Sequence, residues 1–452
     1  MVKVISLLHT APLNQHCTEF NLESPEDLEQ VAWESGYYLQ EPKKITASSL
    51  IHGFFRMMSQ GKHSLRNWAV EIGLKVGSTV CKSSVEERLN GRTLNMTTEL
   101  LKRVLGCNMK ALRQHSADKE PSKTLLSRFT NVLLADSTCE KLPAHLADMF
   151  PSSYSHGEPT ATLRLQTAYN YTRERFVQFH IGNFRHNDQG ATDLILDVAQ
   201  PEDLVLRDLG YFALENLRKM MKRGIFFISK LQVQTNLYDP ESGEQINLLA
   251  FLKGKNKVDM RVHLGQKTKL PLRLIAQKLP EDVVLQKREK AKKDRNKKAN
   301  HDENYYELLG WVIFVTNVPD EKLSSAEIME VYRLRWFIEI IFKAWKSHFN
   351  FRKILNKERM NLLRAQITIY LILIQIAYWS LDVYQYIQNA VYKITQRPLS
   401  LLKYFDLLNS MADTIFNIRH LEELDPLIPQ FAKHGTYETR KKRQNIKELC
   451  KC

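Results

Sequence analysis

The stretch Tyr332-Arg333-Leu334-Arg335-Trp336-Phe337-Ile338-Glu339-Ile340-Ile341-Phe342-Lys343-Ala344-Trp345-Lys346 says more about this chain than any other segment. Its spacing predicts one helix. At about 100° per residue, Tyr332, Arg335, Glu339 and Lys346 fall within an arc of roughly 60°, and Trp336 and Lys343 widen that face by about 40°. Apart from Arg333, the other positions are apolar, so most of the circumference is predicted to be buried and one narrow polar strip to show. A bland reading exists. Arg335–Glu339 and Glu339–Lys343 are (i, i+4) pairs of the kind that line a solvated helix face. A lone acid among cations and flat rings also suits a divalent ion gripping a phosphodiester, provided that carboxylates from elsewhere join it.

The bulk properties agree with a polyanionic partner. The chain has 452 residues, a formal net charge of +15 and a pI near 9.3. Two to four domains are expected at that length, and the Lys and Arg excess points to nucleic acid. No membrane partner is expected, since no basic amphipathic helix stands beside a lipidation signal. The run Ala365 to Leu381 imitates a span, but Gln366, Thr368 and Gln375 interrupt it, so it reads as a buried core helix. Cys17, Cys81, Cys107, Cys139, Cys450 and Cys452 are scattered without zinc spacing. Together with the lack of a signal-peptide pattern, this predicts a reduced, cytoplasmic and nucleoid-associated setting.

Along the chain, residues 1–120 read as short helices. Ser24-Pro25 followed by Glu26 and Asp27 is a helix start. Ser49 precedes an apolar face that Gly61 ends; Leu65 to Ile72 form another, stopped by Gly73. Ser84-x-x-Glu87 is a capping box, and Leu100 to Leu105 run up to Gly106. Between residues 60 and 106 these helices suit a helix-turn-helix, as many small bundles do, and with the chain's basic charge they make residues 1–120 the expected helical DNA-binding domain. Residues 125–232 read as mixed α/β. Asn131 to Asp136 and Leu204 to Asp208 are apolar runs that each end in an acid, and Gly224 to Ser229 is another strand. Ala161 to Tyr171 and Arg175 to Ile181 alternate as strands; Ala191 to Val198 and Phe212 to Lys222 suit helices. Residues 233–318 read as a β-rich insertion with a separate sheet, from Ile246–Leu252, Val258–Leu264 and Leu270–Leu279, closing on a strand around Leu308 to Thr316. Within it, residues 287–298 carry eight bases and two acids, a solvated run or a track for a phosphate backbone. Residues 319–352 hold the glutamate helix, opened by the capping box Ser324-x-x-Glu327. Residues 353–452 are helical and end in the basic tail Arg440 to Arg443.

Phosphodiester cleavage without a covalent intermediate needs an activated nucleophile and a stabilised leaving oxygen, and two divalent ions about 4 Å apart supply both. Magnesium favours carboxylates and keeps waters, so two or three acids suffice. Asp136 and Asp208 close strands, where ligand sites of α/β sheets gather, and Glu339 can reach them from a helix packed on the sheet. Asp136 reads equally as a turn opener and Asp208 as an ordinary strand-to-helix turn. Glu202, Asp203, Asp193 and Asp197 are not excluded.

The chain resembles a family. Tyr332, Arg335, Glu339 and Lys346 match the Y-x2-R-x3-E-x6-K pattern of bacterial insertion-sequence transposases of the DDE class, the cut-and-paste branch that excises DNA through hairpin ends. Ala135-Asp136-Ser137-Thr138 with Leu142-Pro143 resembles the family's first-aspartate motif, and Arg207-Asp208-Leu209-Gly210-Tyr211-Phe212 its second. The resemblance, over residues 130 to 350, implies an α/β fold: an RNase H-like catalytic core with a β-rich insertion, plus helical N-terminal and C-terminal regions. It implies that Asp136, Asp208 and Glu339 bind two Mg²⁺ ions, with Mn²⁺ able to substitute. Tyr332, Arg335 and Lys346, helped by Lys343, would hold the 5′ phosphate. Trp336 would stack near a flipped base and Trp311 cap it, Trp311 being otherwise a core residue. Double-stranded DNA is the implied partner, as transposon terminal inverted repeats and target, with a homodimer on the DNA. A catalytically silent end-binding protein and another RNase H-like nuclease remain as alternatives.

Overall fold

The computed structural model describes residues 25–114, 125–155, 158–184, 187–293, 303–349, 351–355, 361–379, 382–411 and 421–438. The basic tail and the end of the 287–298 run lie outside them. Contacts divide the described residues into two compact units. One draws on 1–122, 136–187 and 336–449, the other on 123–135 and 188–335.

In the first unit, helix Pro25–Glu34 begins on proline with Glu26 and Asp27 in its first turn, where acids meet the positive pole of the helix dipole. Helix Ala47–Ser59 starts earlier than Ser49 suggested. Thr46 is its cap, accepting from Ser49 N at 3.1 Å, and the Ser49 hydroxyl closes the box in return. Gly73 does not stop the next helix, which runs Leu65–Val76 and ends on the left-handed Gly77 (φ 66°). A Cβ on Gly73 would meet the Ser78 carbonyl oxygen at 2.9 Å, so its smallness serves the turn beyond. Helix Lys82–Arg88 opens on Cys81, before the expected box at Ser84, and helix Gly91–Gln114 runs straight through Gly106. Helix Leu362–Trp379 is the core. Ile369, Leu371, Ile372, Leu373, Ile374 and Ile376 are fully enclosed, and Gln375 Nε2 is satisfied by the Phe55 carbonyl at 3.2 Å. Among the described residues no helix is long and apolar enough to cross a membrane.

Strand β1 spans Val132–Leu142, β2 Pro151–Ser155, β3 Glu158–Asn170 and β4 Arg175–Asn183. The β1 residues from Asp136 onward belong to the first unit, where β1 neighbours β3 and β3 pairs antiparallel with β2 and β4. Asp136 therefore does not close its strand: it lies in mid-strand, and the apolar run continues into the polar half Ser137 to Lys141.

In the second unit follow β5 Leu204–Arg207, β6 Phe226–Lys230, β7 Leu237–Tyr238, β8 Gln245–Ile246, β9 Lys257–Leu264, β10 Leu270–Lys278 and β11 Trp311–Thr316. Residues Val132 to Ala135 of β1 pair parallel with β5, and β5 parallel with β6. The insertion does not form a separate sheet. β11 pairs antiparallel with β6, and β10, β9, β7 and β8 add on in turn, so one ladder continues outward from the parallel strands. The strand expected at Ile246 to Leu252 is mostly a short helix, Leu248–Leu252, because Asn247 caps it by accepting from Ala250 N at 3.1 Å. Ala191 to Val198 likewise tightens into a 3-10 helix, Thr192–Asp197.

Asp203, just before β5, is enclosed. It accepts from Asn131 Nδ2 and from Gln200 N, both at 2.8 Å. Burial nonetheless outweighs these bonds and pushes its carboxyl up from the ordinary 3.8 to about 6. The folded state then holds this proton more tightly than the unfolded chain. Stability from this group is full below the unfolded value and is lost as pH rises through about 6. A gap of that size corresponds to about 3 kcal/mol. Asp203→Asn is expected to flatten the fall in thermal midpoint between pH 4 and 6.5 by an amount of that order. An unchanged pH profile in the variant would contradict it.

Candidate active site

The second unit carries one set of candidate residues around the end of β5. Leu204 to Arg207 are buried, and the chain then leaves the ladder at Asp208, whose side chain is 45% exposed. The predicted single helix over Tyr332 to Lys346 is two helices, Ser325–Tyr332 and Trp336–His348, joined by a 3-10 turn Arg333–Arg335. The Ser324/Glu327 capping box starts the first as expected, with Ser324 Oγ accepting from Glu327 N at 3.4 Å. Tyr332, at its last position, donates its hydroxyl to the Arg207 carbonyl at 3.0 Å. Its ring packs on Phe314, with centroids 4.5 Å apart. From the turn, the buried Arg335 brings Nε to 4.0 Å from Asp208 Oδ1. So Asp208, Tyr332 and Arg335 do come together.

Arg207 was quoted in the sequence motif without a role, and the structure gives it one. Its side chain is buried at 5% exposure. Its guanidinium donates to the Thr192 carbonyl at 2.7 Å and to Asn216 Oδ1, and lies over the Tyr211 ring. Burial lowers its pKa to about 10, opposed by Tyr211 and Asp193, so it stays charged at neutral pH. It anchors the residue before Asp208. Arginine at the end of an apolar strand was the available signal.

The first unit carries the other candidates. Asp136, half-buried in β1, accepts from Ser137 N at 2.8 Å; the turn reading fails, since both residues are in strand. Glu339 is half-buried on helix Trp336–His348. That helix is held by aromatic contacts on its other face: Phe337 lies 5.7 Å from Tyr169 and 5.2 Å from Tyr171, and Trp345 lies 5.0 Å from Phe176. Trp336 is left 54% exposed, and Lys343 and Lys346 point to solvent. Trp311 is half-buried at the start of β11, opposite Lys278. Of the other acids, Asp193 pairs with Lys219 and accepts from Asn216, and Glu202 pairs with Lys322 at 2.6 Å.

The candidate donors are hard carboxylate oxygens, the chemistry that magnesium or manganese takes. Asp208 offers its oxygens to solvent. Among the described residues, no three Asp, Glu, His or Cys side chains stand gathered as a ready metal cage.

The end of β5 in this α/β ladder thus gathers an acid, a buried arginine and a tyrosine. The profile described as "Transposase DDE domain" matches residues 127–376, and the chain belongs to that family. It is 34% identical over 250 residues to the transposase for insertion sequence element IS231F of Bacillus thuringiensis subsp. israelensis, covering 51% of this chain and 52% of that protein. It is 29% identical over 348 residues to the transposase for IS231B of Bacillus thuringiensis subsp. berliner, covering 72% and 71%. It is 25% identical over 341 residues to the transposase for IS1151 of Clostridium perfringens, covering 70% of each. The match to the first of these spans about half of that relative's length. A cryo-EM structure of the piggyBac transposase synaptic complex with hairpin DNA is matched over 94% of this chain and 87% of that chain, at 9% identity and a TM-score of 0.38. That likeness is too slight to bear on fold or mechanism.

Proposed function

We propose that this protein is an active insertion-sequence transposase that cuts DNA at terminal inverted repeats and joins the freed ends to target DNA. The observation that carries the reading is the β1–β5 register. The last parallel pair is Ala135↔Arg207, and the residue that follows each in the chain is an aspartate, Asp136 and Asp208. The order β4, β3, β1, β5, β6, with β1, β5 and β6 parallel, supports an RNase H-like core, and β7 to β11 its β-rich insertion.

In this reading Asp136, Asp208 and Glu339 would hold two Mg²⁺ ions, with Mn²⁺ able to replace them. The ions, when bound, supply a lowered-pKa nucleophile and charge for the leaving oxygen. The rest is the work of the chain. Arg335 and Tyr332 grip the phosphate beside the cut, assisted by Lys346 and Lys343 from the exposed side of their helix. Trp336 receives a base unstacked by a tight hairpin, and Trp311 closes over it. The reaction sequence is nicking, attack of the 3′ hydroxyl on the opposite strand to form the hairpin, reopening by water, and strand transfer. The helices between residues 60 and 106 read the repeats, and two copies hold the two ends.

The test is cleavage of a duplex bearing the repeats that flank the gene, with Mg²⁺ or Mn²⁺, resolved on a denaturing gel. Nicked and then hairpin products are expected. Binding without cleavage would favour a silent end-binding protein; cleavage without hairpins would favour another nuclease of the same fold. Trp336→Ala is expected to cut hairpin yield about tenfold or more while the first nick changes less than threefold, a stacked base contributing about 1–3 kcal/mol. Equal loss at both steps would make Trp336 a folding residue.

A further inference from the structure

We propose that helix Leu65–Val76 enters the major groove of the terminal repeat and that Arg66, Val70 and Leu74 read its base edges. The proposal rests on the reading of the protein as a repeat-binding transposase and assigns that task to one helix. At about 100° per residue, Arg66, Val70 and Leu74 form one ridge within an arc of roughly 80°. All three are exposed, Val70 at 50% and Leu74 at 66%. The opposite face holds Trp68, Ala69 and Ile72, all buried. The helix is therefore held by one side and presents the other. Folding accounts for the buried side and leaves a valine and a leucine, one turn apart, in water.

The buried side fixes the helix on its neighbour. Trp68 donates its Nε1 hydrogen to the Leu50 carbonyl at 2.8 Å, and its ring lies 5.0 Å from Phe54. A Cβ on Gly53 would meet Ile72 Cγ1 at 2.8 Å, so glycine lets helix Ala47–Ser59 come close. Between the two helices runs a short turn, Gln60 to Ser64, in which Gly61 takes the left-handed φ of 66°. Two helices joined by a tight glycine turn are a frame that offers its second helix to a DNA groove. Charge complementarity selects the occupant. The exposed residues of this helix are Arg66, Val70, Leu74 and Lys75, and none is acidic. Its one acid, Glu71, is 2% exposed and is withdrawn between Arg56 Nε at 3.4 Å and Lys62 Nζ at 3.8 Å. Lys62, at the turn, keeps half of its side chain in solvent. A polyanion thus meets bases and apolar groups on this helix and no bare carboxylate. Arginine forks onto guanine O6 and N7, and apolar side chains pack on thymine methyl groups.

Binding of the full chain to a labelled duplex carrying the flanking repeat, and to a scrambled duplex of equal length, tests this without divalent ions. The variants are Arg66→Ala, Arg66→Lys, and Val70→Ala combined with Leu74→Gln. Arg66→Ala is expected to weaken binding to the repeat about tenfold or more and to the scrambled duplex much less, the order of discrimination that a forked arginine–guanine pair carries. Arg66→Lys should not restore the preference, since the ammonium keeps the charge and loses the fork. The Val70/Leu74 variant should lose about fivefold on the repeat with the slope of log K against log salt unchanged, because no cation is removed. Thermal midpoints without DNA should match wild type, as the ridge stands in solvent. Equal loss on both duplexes in Arg66→Ala would make that residue a phosphate contact and overturn base reading. Unchanged repeat binding in every variant, with wild type binding normally, would overturn the helix assignment and leave the transposase reading standing. A DNA-free dimer that the Val70/Leu74 variant dissolves while keeping the repeat would overturn it too, making the ridge a contact between copies. Failure of the wild type to prefer the repeat would remove both.

Discussion

Asp208→Asn is expected to abolish strand cleavage while leaving binding to the flanking repeat equal to wild type or tighter. The exchange keeps the shape of the side chain and removes one negative charge. What it removes is a solvent-open carboxylate at the end of β5, with Arg335 Nε 4.0 Å away. An amide oxygen is a far poorer ligand for a hard divalent ion. Bound ions contribute several kcal/mol of charge stabilisation in such reactions, and about 4 kcal/mol is a thousandfold in rate. Binding moves the other way, because Arg335 is released from its acid and a repulsion toward phosphate is gone. Nicked product within tenfold of wild type, at equal protein and Mg²⁺, would take Asp208 out of the site. Asp136→Asn is expected to behave alike.

Arg207→Met is expected to destabilise the fold by about 3 kcal/mol and to lower cleavage even where the protein is folded. The guanidinium is buried and serves two acceptors, the Thr192 carbonyl and Asn216 Oδ1. Methionine fills much of the volume but leaves both acceptors short of a charged donor, and losing a hydrogen bond to a charged group costs about 1.5–3 kcal/mol. Asn216 still donates to Thr192 at 2.8 Å, so the region is loosened and not abolished. Arg207→Lys should not rescue, since lysine lacks the planar fork whose two separate nitrogens serve the two acceptors. The denaturant midpoint reads the first effect, and the nicking rate under folded conditions reads the second. A wild-type midpoint would show that the buried bonds contribute nothing.

Much of this was legible in the residues. The apolar runs at Val132 and Leu204, the Ser324/Glu327 cap and the interrupted core helix are local signals, and local signals survive folding. Asp136 as a strand end was misleading, because an alternation of polar residues after an apolar run continues a strand as readily as it ends one. The single helix over Tyr332 to Lys346 was too regular: periodicity averages over several turns and is blind to a three-residue tightening at Arg333 to Arg335. The insertion's merger with the main ladder depends on β11 finding β6, a long-range pairing that no window of sequence contains. Arg207 was hidden for a related reason. The role of Arg207 comes from the Thr192 carbonyl and from Asn216 on the helix after β5, partners that only the folded chain brings to it.

The bond from the Tyr332 hydroxyl to the Arg207 carbonyl carries one last implication. A phenol has a single proton to give. While the backbone oxygen next to Asp208 receives it, no incoming phosphate can. On the proposed reading, gripping DNA through this tyrosine releases that carbonyl, so arrival of the nucleic acid would be reported one peptide bond from Asp208. A fluorinated tyrosine at position 332 would show the handover as a change in its resonance.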